Sequence, residues 1–501
     1  MSGNQPDTIG ADGILNDDVS SYPADQQKMR TYANAREKLS QFQAPVLVHA
    51  GNPHERLYVA CFDGTGNDAV KDPAHATNVA GIYDQIYKLE KAGHPQISGG
   101  YVPGPGTQDG WFEKTRDGIT GGTYDQRIEE MYAKFIKQAK AWRDADPDAQ
   151  IRLADIGFSR GSEQAAGFAR LVHERGIQDH TGAVYERDSN NMITSVHYTK
   201  PPLVSPGQVP QVEGLFDAVG TGEPYQHDRR PPPSVVSGLH IMAMDERRSA
   251  FPSDRIIDPG LTSDGRLLGL EVAGAHSDVG GSYLRNGLAI RSGNLMTDYL
   301  NALGDKPFLQ KGIEPNEQRL NQIHRSEEAS PYNLMPQTAL GQPRSSNKRL
   351  VSEQVEYEPI PFGEGAVRER RSERPGVQDP FNAEPRDELL NSQFKHRPVG
   401  DADAGSDNAP MPKADPSPSS PGSPKASPLM HPDLRAIFES NGDPAVMAQS
   451  AQNYLNSPSG QLFEMQGQAA AARLQQGQGA PEQPQQAEAP RVQQEGLSMS
   501  R

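Results

Sequence analysis

Apolar positions come along this chain in short bursts, separated by polar and glycine-rich stops. Leu57-Tyr58-Val59-Ala60-Cys61-Phe62 is a continuous apolar run that halts at Asp63-Gly64-Thr65-Gly66-Asn67. Such a run stopped by glycine predicts a buried strand of a parallel sheet. Residues 151–156, 212–216 and 267–272 predict three more strands. Helical segments are expected near 78–92 and 124–144, and from the turn at 157–161 to residue 175. In that last segment Ala165, Phe168, Ala169 and Val172 recur on one helical face. Gly176 stands where a helix C-cap glycine is expected. Residues 287–303 predict a closing helix and 316–327 another, while the apolar residues around His240 read as helical. Strands alternating with helices make βαβ units. The expected class is therefore α/β, with a mainly parallel sheet and helices on both faces.

The pattern divides the chain into four parts. Residues 1–54 are polar, with one helix expected near 26–41, and read as a leader or peripheral segment. Residues 55–305 hold the strand–helix alternation. Residues 306–400 form a charged, proline-interrupted extension, helical or irregular. Residues 401–501 are Pro/Ser-rich and then Gln-rich, a tail for delivery or partner binding that cannot bury a core, save for two short helices expected within 432–455. Composition agrees: only 34% of the residues are hydrophobic and mean hydropathy is −0.72, so part of the chain packs no core. Lys and Arg number 49 against 65 Asp and Glu, a net charge of −16. That balance argues against nucleic-acid binding, which needs a basic face. No run of about 18 apolar residues is present, so no transmembrane helix is expected. The N-terminus has no basic segment followed by an apolar stretch, so no export signal is expected. The single cysteine, Cys61, cannot form an internal disulfide.

Gly157-Phe158-Ser159-Arg160-Gly161 fits G-x-S-x-G, with an apolar strand before it and a helix after. In that setting the serine occupies a strained, tight turn at the mouth of the sheet, as in an α/β-hydrolase-like fold. A serine nucleophile needs a base, and the base needs an orienting carboxylate. Asp217 follows the strand at 212–216, and His276 follows the strand at 267–272 in a small-residue loop. The order Ser, acid, His suits that fold. The alternatives are a surface serine, a helix-capping Asp217 and a satisfied loop histidine. Asp278 is a rival for orienting His276, or a turn cap. His240 reads as a core histidine and His227 as a solvent-facing one. The backbone N–H groups of Arg160, Gly64 and Thr65 are candidate oxyanion donors. No Gly-Lys-Ser/Thr follows the Asp63 loop, which argues against a P-loop. A metal site from Asp63, Asp68 and Asp278 has no supporting ligand spacing. Gly104-Pro105-Gly106-Thr107 is a tight turn that rims the site or connects elements. Asp245-Glu246-Arg247-Arg248 is expected to brace a helix through ion pairs.

Together these motifs resemble, in one order, the bacterial α/β-hydrolase domain of the type VI secretion lipase effectors. The series comprises Phe62-Asp63-Gly64-Thr65-Gly66-Asn67-Asp68, Gly104-Pro105-Gly106-Thr107, the Ser159 elbow, Phe216-Asp217-Ala218-Val219-Gly220, Met244-Asp245-Glu246-Arg247-Arg248 and His276-Ser277-Asp278-Val279-Gly280-Gly281. The resemblance covers roughly residues 55–305. It implies a phospholipase A-type esterase acting on membrane glycerophospholipids, with Ser159 as nucleophile, Asp217 as acid and His276 as base. No metal or organic cofactor is implied. It further implies a secretion-system partner, contact-dependent delivery from the cytoplasm into a target cell, and a cognate immunity protein. Ser162 stands where the family usually has alanine. A soluble carboxylesterase or thioesterase, and a non-catalytic interaction protein on a hydrolase scaffold, are the competing expectations.

Overall fold

The computed structural model describes residues 16–64, 75–104, 124–188, 191–220, 228–329, 332–334, 337–338, 344 and 384–400. The expected short helices within 432–455 and the low-complexity tail lie outside these residues. In chain order the strands are β1 (Ser21–Pro23), β2 (Gln43–Pro45), β3 (Glu55–Phe62), β4 (Ile97–Val102), β5 (Gln150–Phe158), β6 (Ala183–Arg187), β7 (Ile193–Tyr198), β8 (Gln211–Phe216), β9 (Val235–Ala243), β10 (Gly260–Leu261), β11 (Leu267–Val272), β12 (Gln322–His324) and β13 (His396–Pro398). The described helices are α1 (Gln26–Gln41), α2 (Asn78–Lys91), α3 (Tyr124–Ala145), α4 (Arg160–Arg175), α5 (His276–Gly280), α6 (Gly287–Ala302) and α7 (Glu388–Asn391).

Seven strands form one sheet in the order β10-β11-β9-β8-β5-β3-β4. Neighbours are parallel from β11 through β4, and only the short β10 runs antiparallel, against β11. The protein is thus an α/β-hydrolase-like fold with a mostly parallel sheet. Side chains alternate between faces along each strand. Leu57, Val59 and Cys61 of β3 join one apolar cluster, with residues of α1, α2 and α6. Tyr58, Ala60 and Phe62 join the other, with residues of α3 and α4. Both faces are covered, so strands such as β3 and β9 are buried along their whole length. This explains their continuous apolar sequence. From β3 the chain goes to the edge strand β4 and returns on the other side as β5. That reversal opens a crevice at the carboxyl ends of β3 and β5, where ligands of open α/β sheets bind.

Two strands lie where the sequence predicts helix. The stretch around His240 is β9, not helix, because a short apolar run buried on both faces carries no periodicity to separate the two. Residues 316–327 contain the three-residue β12 rather than a helix, and β12 pairs antiparallel with β1. Tertiary pairing with the N-terminal segment there outweighs local helical preference. That segment also supplies α1, whose Tyr32, Ala35 and Leu39 are buried in the apolar cluster shared with α6. Further along, β2 pairs with β13. Among the described residues, no helix is long and apolar enough to cross a membrane.

Candidate active site

Local sterics build the turn at the end of β5. Ser159 has φ 59° and ψ −127°, a region L-residues rarely occupy. A Cβ on Gly157 would lie 2.3 Å from the carbonyl oxygen of Gly161. One on Gly161 would lie 2.2 Å from the carbonyl oxygen of Phe62. Both clashes are with backbone, so only glycine lets the strand turn into α4 while pressed against β3. Ser159 precedes the first helical residue, yet its side chain does not cap the helix. Its N–H donates to the carbonyl of Phe216 at 3.0 Å, which ties the elbow to the end of β8. Ser162, in the first turn of α4, also donates its hydroxyl to Phe216 O at 3.0 Å. At its far end α4 stops at Gly176, which has φ 64° and donates its N–H to Val172 O. Arg160 opens α4, so its backbone lies at the positive end of the helix dipole.

Asp217 is the residue after β8. It is wholly buried and also has positive φ, 39°. Its Oδ2 lies 2.6 Å from Nδ1 of His276. Its Oδ1 accepts from the N–H of Ala243 at 2.8 Å and from Arg344 Nη1 at 2.6 Å. Burial alone would raise the carboxyl's pKa. The Arg344 charge and the His276 hydrogen bond overturn that and hold it below the usual carboxylate range. His276 opens α5 and is 4% exposed. Its ring lies against Phe158, with centroids 4.6 Å apart, and meets the edge of Phe251 at 5.2 Å. Desolvation by this packing lowers its pKa, partly opposed by Asp217. Phe158 directly precedes Ser159 in the chain, so the residue whose ring packs on His276 is the last of β5 before the elbow. No Ser159–His276 hydrogen bond is formed among the described residues, as is common before substrate binds.

The rivals have other employment. Asp278 accepts from the N–H of Ala275 at 2.9 Å, closing the first turn of α5. Its carboxylate also holds His324, with Nδ1 2.6 Å away. His240 is buried, accepting from Ala218 N–H and donating to Ile257 O. Burial pushes its pKa down to about 4, so it is a neutral core histidine. His227, Thr65, Asp68 and residues 105–107 lie outside the described residues. Gly64 N–H donates to Asp63 Oδ1 at 2.7 Å. Asp63 also accepts from Thr77 Oγ1 and Tyr101 Oη, so its carboxylate serves to order the crevice edge. The Asp245–Arg248 stretch does make ion pairs, but it follows β9 as a loop rather than lying on a helix. Lys28 pairs with Asp245, Arg247 with Glu327 and Arg248 with Glu246 at 2.8 Å. Glu246 accepts the backbone N–H of His276 at 3.2 Å. Arg248 lies 3.5 Å over the Phe251 ring. Arg344 and His324 were not picked out by sequence reasoning. No motif or periodicity marks either one.

The match to known proteins falls on this machinery. Residues 56–300 match the family model described as T6SS, phospholipase effector Tle1-like, catalytic domain. The chain resembles the type VI secretion lipase effectors. The Tle1-like region runs from β3 into α6 and includes Ser159, Asp217 and His276. Asp17, α1, His324 and Arg344 lie outside it. Among solved structures, an uncharacterized protein from Pseudomonas aeruginosa is 15% identical with a TM-score of 0.30, covering 56% of this chain and 51% of that one. A Tle1 effector bound to the VgrG spike from the type 6 secretion system is 18% identical with a TM-score of 0.28, covering 48% and 52%. RedJ with a PEG molecule bound in its active site is 13% identical with a TM-score of 0.24, covering 50% and 98%. The chain thus spans about half the length of the first two. No curated protein matches the sequence.

Proposed function

We propose that this protein is a serine ester hydrolase of phospholipase A type, acting on membrane glycerophospholipids. The observation that carries the reading is the buried Asp217–His276 pair, 2.6 Å apart, together with a serine on a strained strand–helix turn, its hydroxyl unspent on capping and its N–H bonded to the carbonyl of Phe216, the residue before Asp217. In the reaction His276 Nε2 takes the proton of Ser159 as Oγ attacks the acyl carbonyl. Asp217 accepts from Nδ1–H, keeping Nε2 the basic nitrogen and stabilising the imidazolium. The Arg160 N–H holds the oxyanion at the helix N-terminus, with donors at Gly64 and Thr65 completing the hole. For Gly64 this requires its N–H to turn away from Asp63. His276 then protonates the leaving alcohol, and water releases the fatty acid. No step calls for a metal or organic cofactor.

Two considerations favour lipid over a soluble ester. The family resemblance is to lipase effectors. Ser159 is only 3% exposed, so the acyl carbonyl meets it out of bulk water, which favours a substrate with a long apolar acyl chain over a small polar ester. Delivery through a secretion-system component and neutralisation by an immunity protein belong to the same reading.

Fatty-acid release from mixed phospholipid vesicles by the wild type and Ser159→Ala tests it. The wild type should release fatty acid and leave lysophospholipid, and Ser159→Ala should lose at least about 10³-fold. Release by a well-folded Ser159→Ala protein would overturn the assignment. Ser159-dependent cleavage of soluble esters without vesicle activity would move the protein to the soluble esterases.

A further inference from the structure

Asp217 offers two oxygens, and different partners use them. His276 takes Oδ2. Oδ1 is shared by the Ala243 N–H and the guanidinium of Arg344. Arg344 is fixed in that position. Its Nε donates to Phe251 O at 2.9 Å and its Nη1 also reaches Ala243 O at 3.2 Å. Its side chain is 6% exposed. A buried cation in contact with a catalytic carboxylate is not neutral to the chemistry. The imidazolium formed during acylation depends on the same negative charge.

We propose that Arg344 is a positioning residue for the acid–base pair: it pins the Asp217 carboxylate through the oxygen His276 does not use, and it competes with the imidazolium for that carboxylate's charge. This rests on the reading of Asp217 as acid and His276 as base. It adds a residue from outside the Tle1-like region, 127 positions along the chain from Asp217. The consequence has a definite sign. With Arg344 present, part of the Asp217 charge is already answered, so the protonated form of His276 gains less and the histidine stays a free base to lower pH. Removing the cation gives the full carboxylate charge to His276 and raises its pKa.

The other groups around the pair leave this direction intact. Glu246 faces the His276 backbone and is itself paired with Arg248. Arg248 lowers the His276 pKa and Glu246 raises it, so they oppose one another. On the ring faces stand the uncharged Phe158 and Phe251. His240 lies near Asp217, but burial keeps it neutral above about pH 4. On the element that carries His276, Asp278 is engaged with His324.

The test is a titration of the His276 ring by NMR in the full chain, on a Ser159→Ala background, with the resonance assigned by its loss in His276→Asn. Arg344→Gln should raise the His276 pKa by about one pH unit. Arg344→Lys keeps the charge and should leave the pKa within about 0.3 of the parent. Because a lysine cannot span Asp217 and the Ala243 and Phe251 carbonyls together, the same change in an otherwise wild-type chain should still lower kcat several-fold. The acid limb of kcat/KM should follow the titration, moving up in Arg344→Gln and not in Arg344→Lys. An unchanged His276 titration in folded Arg344→Gln overturns the proposal. If Arg344→Gln does not fold, Arg344→Met takes its place with the same two outcomes: a rise of about one pH unit supports the proposal and an unchanged titration overturns it. Since the titration needs no turnover, a protein that shows the shift but hydrolyses no ester refutes the functional reading and leaves the charge coupling standing.

Discussion

Ser159 is placed by elements within the Tle1-like region, whereas Asp217 and His276 are also held by segments on either flank of it. The elbow is built from β5, α4, two glycines, the backbone of β3 pressed against them and the Phe216 carbonyl at the end of β8. The acid–base side gathers contacts from both flanks of the catalytic region. Tyr32 of α1 donates to Ala273 O at 2.7 Å, and Thr31 Oγ1 accepts the Ala273 N–H at 2.9 Å. Asp17 lies 3.0 Å from His324 Nε2, whose other nitrogen holds Asp278 on α5. Arg344 reaches Asp217 itself. Ala273, Gly274 and Ala275 offer few side-chain contacts, so hydrogen bonds from α1 and Asp245 hold the stretch before His276.

The largest effects are expected at Asp217 and Ser159, the proposed acid and nucleophile. Asp217→Ala should lower activity about 10⁴-fold and should also cost about 3–5 kcal/mol of stability, because it strands the buried Arg344 cation. Ser159→Gly should be equally inactive yet more stable than the wild type, by about 1 kcal/mol, since glycine removes the strain at φ 59°. Urea unfolding of both variants measures this. Equal stability changes would mean that the two halves are not built differently.

A smaller effect separates the halves by pH. The buried His324 bridges two carboxylates. Burial alone would lower its pKa, but the hydrogen bonds its ring donates to Asp17 and Asp278 raise it from 6.5 to about 9. A group whose pKa is higher folded than unfolded stabilises the fold fully below the unfolded value. The stabilisation, about 3 kcal/mol, should therefore be intact below about pH 6.5 and lost as the pH rises through about 9. His324→Phe should flatten that decline. A wild-type protein equally stable at pH 6 and pH 9.5 would contradict the bridge. The smallest expected effect is that of Tyr32→Phe, which deletes the hydroxyl bond to Ala273 O and should cost about 1 kcal/mol. It should lower kcat more than it changes KM, because it loosens the loop before His276 without touching substrate.

The same division governs what the sequence reveals. The β5–Ser159–α4 unit is legible because its evidence is contiguous: an apolar run, two glycines, then a helical face ending at Gly176. Leu267–Val272 and the helix at Gly287 are legible for the same reason. Ile97–Val102 is not, since Gly99 and Gly100 break its apolar run, and β9 is not, since burial on both faces erases its period. The order of Ser159, Asp217 and His276 can be read along the chain, and the structure brings Asp217 and His276 into contact. Arg344 and His324 leave no local trace. Each acts only through a fold that closes a loop of 46 or 127 residues, and pattern reading does not see contacts of that kind.

Reaction with a fluorophosphonate, followed by mass mapping of the adduct, asks whether Ser159 is the nucleophile. One adduct is expected, on Ser159, lost in His276→Ala. A folded protein that is not labelled, or is labelled elsewhere, would contradict it.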